Sequence, residues 1–288
     1  MSSHTTTEFH LALSSGSLGA AVDEPSDARR PCPVVVLLAG SGPTDHNGDN
    51  PLLPTPVGNL RQIGEALAER GIASIRPAKR GISLSAADAP PEAEMTIDRL
   101  VDDAVAWVEF ATSDGRWSPV ILTGHSEGAL IAAAAAERTE IDGYISLAGT
   151  ADRAGDILRA QLRRQLPDDL MSAADHAIGL LEAGRLVDDP APALSALFRP
   201  SVQPYLISWF ALDPAKIIAS LAVPTLILHG TDDAQVPSGD AARLAASRGD
   251  ATPVVLDDVD HLLVTTGTHT IDPRVIDEVV RFVESLVT

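Results

Sequence analysis

The sequence predicts an α/β protein: a mainly parallel sheet with helices on both faces and an inserted helical segment. Three observations carry that prediction. Short aliphatic runs alternate with helical patterns in βαβ order along most of the chain. The rhythm breaks once, between about residues 150 and 215, where helical patterns follow one another with no buried strand between them. Finally, several strand-like runs end directly in Gly, Ser, Asp or His, the residue types suited to ligand loops at the carboxyl ends of parallel strands.

Taken in order, residues 8–13 and 18–22 alternate enough for two short strands, with a turn over 14–17, so the chain opens on a hairpin. Residues 34–39 form a continuous aliphatic run of the kind buried on both faces, ending at Gly40-Ser41-Gly42-Pro43. A helical pattern over 57–70, a strand run at 72–75, a second helix over 97–110 and a strand at 120–122 follow. The alanine-rich stretch 129–138 reads as a helix and 144–147 as the next strand. Helical patterns over 157–166, 170–181 and 193–198 make up the insertion. The alternation then resumes with a strand at 225–228, a helix over 238–246, a strand at 254–256 and a closing helix over 272–287. The expected organisation is therefore a core of residues 1–149 and 216–288 and a helical cap of residues 150–215.

Composition narrows the function. With 288 residues, 45% of them apolar and 21% charged, the chain is an ordinary globular one, long enough for a full core. Forty acidic against 21 basic residues leave a formal charge of −19, which repels nucleic acid and anionic membrane surfaces. Arg159, Arg163 and Arg164 cluster among Asp156, Asp168 and Asp169 and read as a solvated face. Cys32 is the only cysteine, so no disulfide can close within the chain, and a cytoplasmic, reducing compartment is expected. Residues 1–13 lack the basic start and apolar stretch of a secretory signal, and no apolar run approaches the roughly 20 residues a bilayer demands.

The chemistry centres on Gly124-His125-Ser126-Glu127-Gly128. A bare G-x-S-x-G occurs by chance in roughly one chain in ten of this length, so its setting must decide. Here it follows the strand at 120–122 and opens a helix, the strand-turn-helix context of a nucleophile elbow. The glycines relieve crowding, because a Cβ at Gly124 or Gly128 would strike the neighbouring strand or helix. The helix start offers the N–H of Glu127 to a developing oxyanion, and Ser41, between Gly40 and Gly42, offers a second N–H.

A serine hydroxyl needs a histidine to take its proton, and that histidine needs a carboxylate to fix its tautomer. After the strand at 225–228 come Asp232 and Asp233; Asp233, third after Gly230 and three before Val236, has the spacing familiar in the fold that the elbow resembles, and Asp232 then reads as a loop or capping residue. After the strand at 254–256 comes His261, the one histidine a short distance beyond the last strand, whereas His46, His125, His229 and His269 stand elsewhere. The Glu127 side chain reads as a charge turned toward solvent or a loop, with a second acid or a substrate contact as the alternative. Tyr205, Trp209 and Phe210 cluster in a chain that is only 3% aromatic; they are candidates to line an acyl pocket under the cap, and packing within the cap explains the cluster equally well. Asp45, Asn47 and Asp49 imitate the start of a calcium loop, but Asn50 and Pro56 occupy the positions of its glycine and glutamate, so no metal is expected. No phosphate or dinucleotide loop follows the first aliphatic strand, so no cofactor is implied.

Several further stretches carry a family resemblance. Residues 39–45, Lys79-Arg80-Gly81, the elbow itself, Pro204-Tyr205-Leu206 with Trp209 and Asp213-Pro214, and residues 230–237 are similar, in the same order, to serine carboxylesterases of the α/β-hydrolase fold with a helical cap, relatives of the serine aminopeptidase-like hydrolases. His46 and Ala78 depart from the pattern, where arginine and aspartate are usual; neither is a triad candidate. The resemblance implies hydrolysis of a small-molecule carboxylic ester, with short acyl chains favoured. Amide cleavage or acyl transfer would use the same residues, and a non-catalytic binder would be expected to lack one of them.

Overall fold

Eight strands form one sheet in the order β1-β2-β4-β3-β5-β6-β7-β8. In this computed structural model residues 3–14, 16–27, 30–251 and 253–287 are described; Ser15, within the turn expected at 14–17, lies outside them. Strands β1 (His4–Leu13) and β2 (Gly16–Pro25) make the opening hairpin, longer than the alternation alone indicates, and β2 joins β4 (Ala73–Pro77) antiparallel. Every other pairing is parallel: β4 with β3 (Cys32–Leu38), β3 with β5 (Trp117–His125), then β6 (Gly143–Leu147), β7 (Thr225–Gly230) and β8 (Pro253–Leu256).

The register gathers the strand ends. Leu38 pairs with Gly124, His125 with Leu147, Leu147 with Leu228, and Gly230 with Leu256. Parallel strands held in this register deliver all their following loops to one edge, so the loops carrying Ser41, Ser126, Asp233 and His261 are neighbours by construction.

Two apolar layers cover the sheet. On one face α1 (Asn59–Glu69) and α10 (Pro273–Glu284) pack Leu60, Ile63, Leu67, Val275, Val279 and Val283 against the aliphatic strands. On the other lie α2 (Ile97–Asp114) and α3 (Glu127–Ala136), with Trp107, Val108, Leu130 and Ile131 in the core. Helix α3 is buried from Gly128 to Ala135, and its alanines let it lie close to the sheet while other layers cover its outer side.

Between β6 and β7 the chain forms α4 (Ala154–Arg163), α5 (Asp168–Glu182), the short α6 (Ser195–Phe198) and α7 (Gln203–Phe210). These helices share a third apolar cluster of their own, including Met171, Ile178, Leu181, Phe198, Leu206 and Phe210. Arg159 bridges α4 to Glu182 of α5, so the basic cluster is partly an inter-helix tie. Helix α8 (Pro214–Ser220) instead packs Ile217 and Ile218 into the sheet-side core, before α9 (Gly239–Arg248) completes that face. No helix among the described residues is long and apolar enough to cross a membrane.

Candidate active site

The turn from β5 into α3 is forced by close packing. A Cβ on Gly124 would stand 2.0 Å from the Gly128 carbonyl oxygen, and one on Gly128 would stand 2.6 Å from that of Leu38. Ser126, caught between them, adopts φ 56° and ψ −121°, a backbone conformation that costs a non-glycine residue about 1–3 kcal/mol. Its own N–H is anchored to the Leu147 carbonyl at 2.9 Å. Such strain persists because the surrounding layers over-determine it, and it holds the serine at the strand-end edge.

Asp233 follows β7 and is held from every side. Its Oδ1 accepts from the backbone N–H groups of Gln235 and Val236, both at 2.8 Å. Its Oδ2 accepts from His261 Nδ1 at 2.7 Å and from His229 Nε2 at 3.1 Å. Burial alone would raise this carboxyl, but the hydrogen bonds from His229 and His261 outweigh it and hold the group well below the usual carboxylate range. An ionised carboxylate only accepts, so His261 carries its proton on Nδ1, leaving the Nε2 lone pair to act as a base. Asp232 points elsewhere, accepting from Thr266 Oγ1 at 2.8 Å.

Ser126 and His261 line one small cavity of about 90 Å³, with Gly40, Ser41 and Gln235. Among the described residues the N–H groups of Ser41 and Glu127 have no hydrogen-bond partner. The sequence-predicted Ser126, Asp233, His261, Ser41 and the Glu127 backbone are thus brought together.

Two expectations fail. The Glu127 side chain does not turn to solvent: it is buried, its Oε1 accepts from Tyr205 Oη at 2.6 Å, and its Oε2 has no hydrogen-bond partner. Burial raises its pKa, while the Lys79 charge and the Tyr205 hydrogen bond oppose the rise. Phe210 does not line a cavity with the other two aromatics; it lies in the core of the inserted helices, its ring centre 6.4 Å from that of Trp209. Tyr205 and Trp209 do line a cavity, of about 440 Å³, together with Ser41, Lys79, Leu100 and Glu127.

Three residues were not assigned a place in the site by sequence reasoning. His125 is buried and its Nε2 donates to the His261 carbonyl at 2.6 Å; burial holds its imidazole down at about 3. His229 supports Asp233 from beneath, its Nε2 also donating to the Val236 carbonyl at 3.0 Å. Lys79 donates to two carbonyls of the Ser41 loop. Their positions, inside the elbow, on β7 and directly after β4, were the available signal. The calcium-like residues have a structural use: Asp45 Oδ1 accepts from the N–H groups of Asn47 and Asp49, and Asp49 Oδ1 from Gly58.

Sheet order, elbow and strand-end loops together define the α/β-hydrolase fold, and the resemblance to its serine aminopeptidase-like members is borne out. Residues 56–167, which include the elbow, match the family described as serine aminopeptidase, S33. Esterase EstD of Thermotoga maritima is 28% identical over 266 residues, covering 88% of this chain. The chain spans 62% of that relative's length. Among solved structures, Est1E from Butyrivibrio proteoclasticus with bound ferulic acid superposes with a TM-score of 0.66 at 18% identity, covering 97% of this chain and 99% of that one. Proline iminopeptidase from Mycobacterium smegmatis reaches a TM-score of 0.63, also at 18% identity, over 97% of this chain and 98% of that one.

Proposed function

We propose that the protein is a serine esterase that hydrolyses small carboxylic esters, short acyl chains favoured, through Ser126, His261 and Asp233. The observation that carries this reading is a strained serine sharing a cavity with a histidine whose Nδ1 is tied to a buried carboxylate. Ser126 Oγ attacks the ester carbonyl while His261 Nε2 takes its proton. The N–H groups of Ser41 and Glu127 stabilise the tetrahedral oxyanion, and His261 returns the proton to the leaving alkoxide. Water, activated by the same imidazole, then releases the acid.

The leaving group must face His261 to be protonated. The acyl group therefore extends away from it, toward the cavity that shares Ser41 and Glu127 with the oxyanion site and is walled by Tyr205 and Trp209. On this reading residues 150–215 act as a cap on a core of 1–149 and 216–288. A cytoplasmic setting is part of the same proposal, resting on the lone Cys32.

Hydrolysis of p-nitrophenyl acetate, butyrate and octanoate by the wild type and by Ser126→Ala tests the proposal. Activity that falls with chain length and vanishes in the variant supports it, and a wild type inert toward all three sinks it. Amide cleavage is the second reading, favoured by the S33 family match and the fold shared with a proline iminopeptidase. Faster turnover of aminoacyl p-nitroanilides than of the esters would select it.

A further inference from the structure

The oxyanion donor on the Ser41 loop needs something to aim it. Residues 39–45 belong to no helix or strand, so no ladder of hydrogen bonds fixes the peptide planes there. Besides the bond from Thr44 Oγ1 to the Ser41 carbonyl at 2.7 Å, what the loop has is Lys79, delivered from just beyond β4, whose Nζ donates to the carbonyls of Gly40 at 2.6 Å and Gly42 at 2.5 Å. Gly42 presents its carbonyl from a left-handed conformation, φ 68°, which glycine adopts without strain. Both carbonyls thereby converge on one ammonium.

The consequence for Ser41 follows from the planarity of the peptide group. The Gly40 C=O and the Ser41 N–H belong to the same peptide, which is not among the cis bonds of the described residues, so they point in opposite directions. Holding the carbonyl toward Lys79 turns the N–H to the other side of the loop. The loop lies against the nucleophile here: a Cβ built on Gly40 would lie 3.4 Å from Ser126 Cβ, and Ser41 lines the cavity that holds Ser126 and His261. Donation from an ammonium also polarises the shared amide, which strengthens its N–H as a donor.

A second observation concerns charge. Burial pushes the Lys79 pKa down, and the Glu127 carboxylate opposes that push. Glu127 is itself held by Tyr205 of α7 and contributes its backbone N–H as the other oxyanion donor. Lys79 and Glu127 line the same cavity, so the influence of the carboxylate on the ammonium links the two donors.

We propose that Lys79 is a positioning residue for the oxyanion hole: the bonds from its ammonium to the Gly40 and Gly42 carbonyls aim and polarise the Ser41 N–H. This rests on the esterase reading above and adds to it the residue that sets its transition-state stabilisation. Lys79 touches no reacting atom.

Thiono esters discriminate between this role and a merely structural one, because a thiocarbonyl sulfur draws little on oxyanion donors. The test compares p-nitrophenyl acetate with its thiono counterpart on wild type, Ser126→Ala and Lys79→Met. Removing a whole oxyanion donor costs about 10²–10³ in kcat, so mis-aiming one should cost Lys79→Met about 10- to 100-fold on the oxo ester with little change in KM. The thiono rate should stay within about threefold, collapsing the oxo-to-thiono ratio by a similar factor. A parallel fall on both esters, or no fall on either, overturns the proposal. If Lys79→Met does not fold, Lys79→Gln, which keeps one neutral donor, decides: an intermediate ratio supports the proposal and an unchanged ratio overturns it. A wild type that turns over no ester removes the esterase reading and this inference together. A Ser126-dependent wild type with an unchanged Lys79→Met ratio removes this inference alone.

Discussion

The two cavities that meet at Ser41 are built differently. The smaller, about 90 Å³, is more polar and drawn from strand-end loops; His261 and His125 line it, and they and the Asp233 behind His261 are each locked by hydrogen bonds to backbone or to one another. The larger, about 440 Å³, is mostly apolar and gets one wall from the inserted helices through Arg199, Val202, Tyr205 and Trp209. The first takes its shape from loops that parallel strands in register bring to one edge and that specific hydrogen bonds then hold. The second owes its shape to the packing of short helices, where a change of side chain can be absorbed. Chemistry should therefore respond steeply to substitution, and substrate range gradually.

The sharpest way to break this contrast is in the polar cavity. Ser126→Ala should reduce kcat by roughly 10³- to 10⁶-fold on any ester, measured as p-nitrophenol release. Asp233→Asn should cost about 10²- to 10⁴-fold, and Asp232→Asn less than about threefold, since the Asp232 carboxylate accepts from the adjacent Thr231 and from Thr266 and makes no bond to His261 among the described residues. The reverse ranking would mean that the His261–Asp233 bond is incidental.

In the apolar cavity, Trp209→Ala should raise KM for butyrate and octanoate esters about tenfold more than for acetate, because a lost aromatic wall removes apolar contact worth about 1–3 kcal/mol. A kcat loss as large as that of Asp233→Asn would erase the distinction between the two regions. Glu127→Gln should act between them. Without the opposing carboxylate the Lys79 pKa falls further, so the alkaline limb of the kcat–pH profile should move to lower pH.

The smallest effect concerns stability. His125 titrates near its ordinary 6.5 when unfolded but only at about 3 when buried, so the unfolded chain binds more protons between those values. Stability therefore falls as pH drops through that window. His125→Asn retains a donor for the His261 carbonyl but not the titration, so its Tm should decline less steeply from pH 6.5 to 4 than that of the wild type. Equal slopes would exclude His125 as a source of acid sensitivity.

The same contrast explains what was legible in the sequence. Ser126, Asp233 and His261 each hang a few residues beyond a strand whose apolar run is plain, and the alignment of strand ends supplies the rest. Glu127 was misread because its partner Tyr205 lies 78 residues away, and no local pattern reports a contact of that range. Phe210 was grouped with Tyr205 and Trp209 on composition. Residues four apart on a helix share a face, whereas the residue directly after Trp209 is turned about 100° away, here into the core of the inserted helices. Lys79 was quoted as part of a family pattern, but its hold on the Ser41 loop depends on β4 lying beside β3, which the order of elements along the chain does not reveal.

Covalent labelling by a fluorophosphonate, followed by intact mass and peptide mapping, tests the central claim most directly, because it reports the activated serine independently of the natural ester. One adduct per chain on the peptide bearing Ser126, absent from Ser126→Ala and strongly slowed in Asp233→Asn, is the predicted result. An ester-hydrolysing wild type that takes no label at Ser126, or a Ser126→Ala variant that labels and hydrolyses as before, would contradict it.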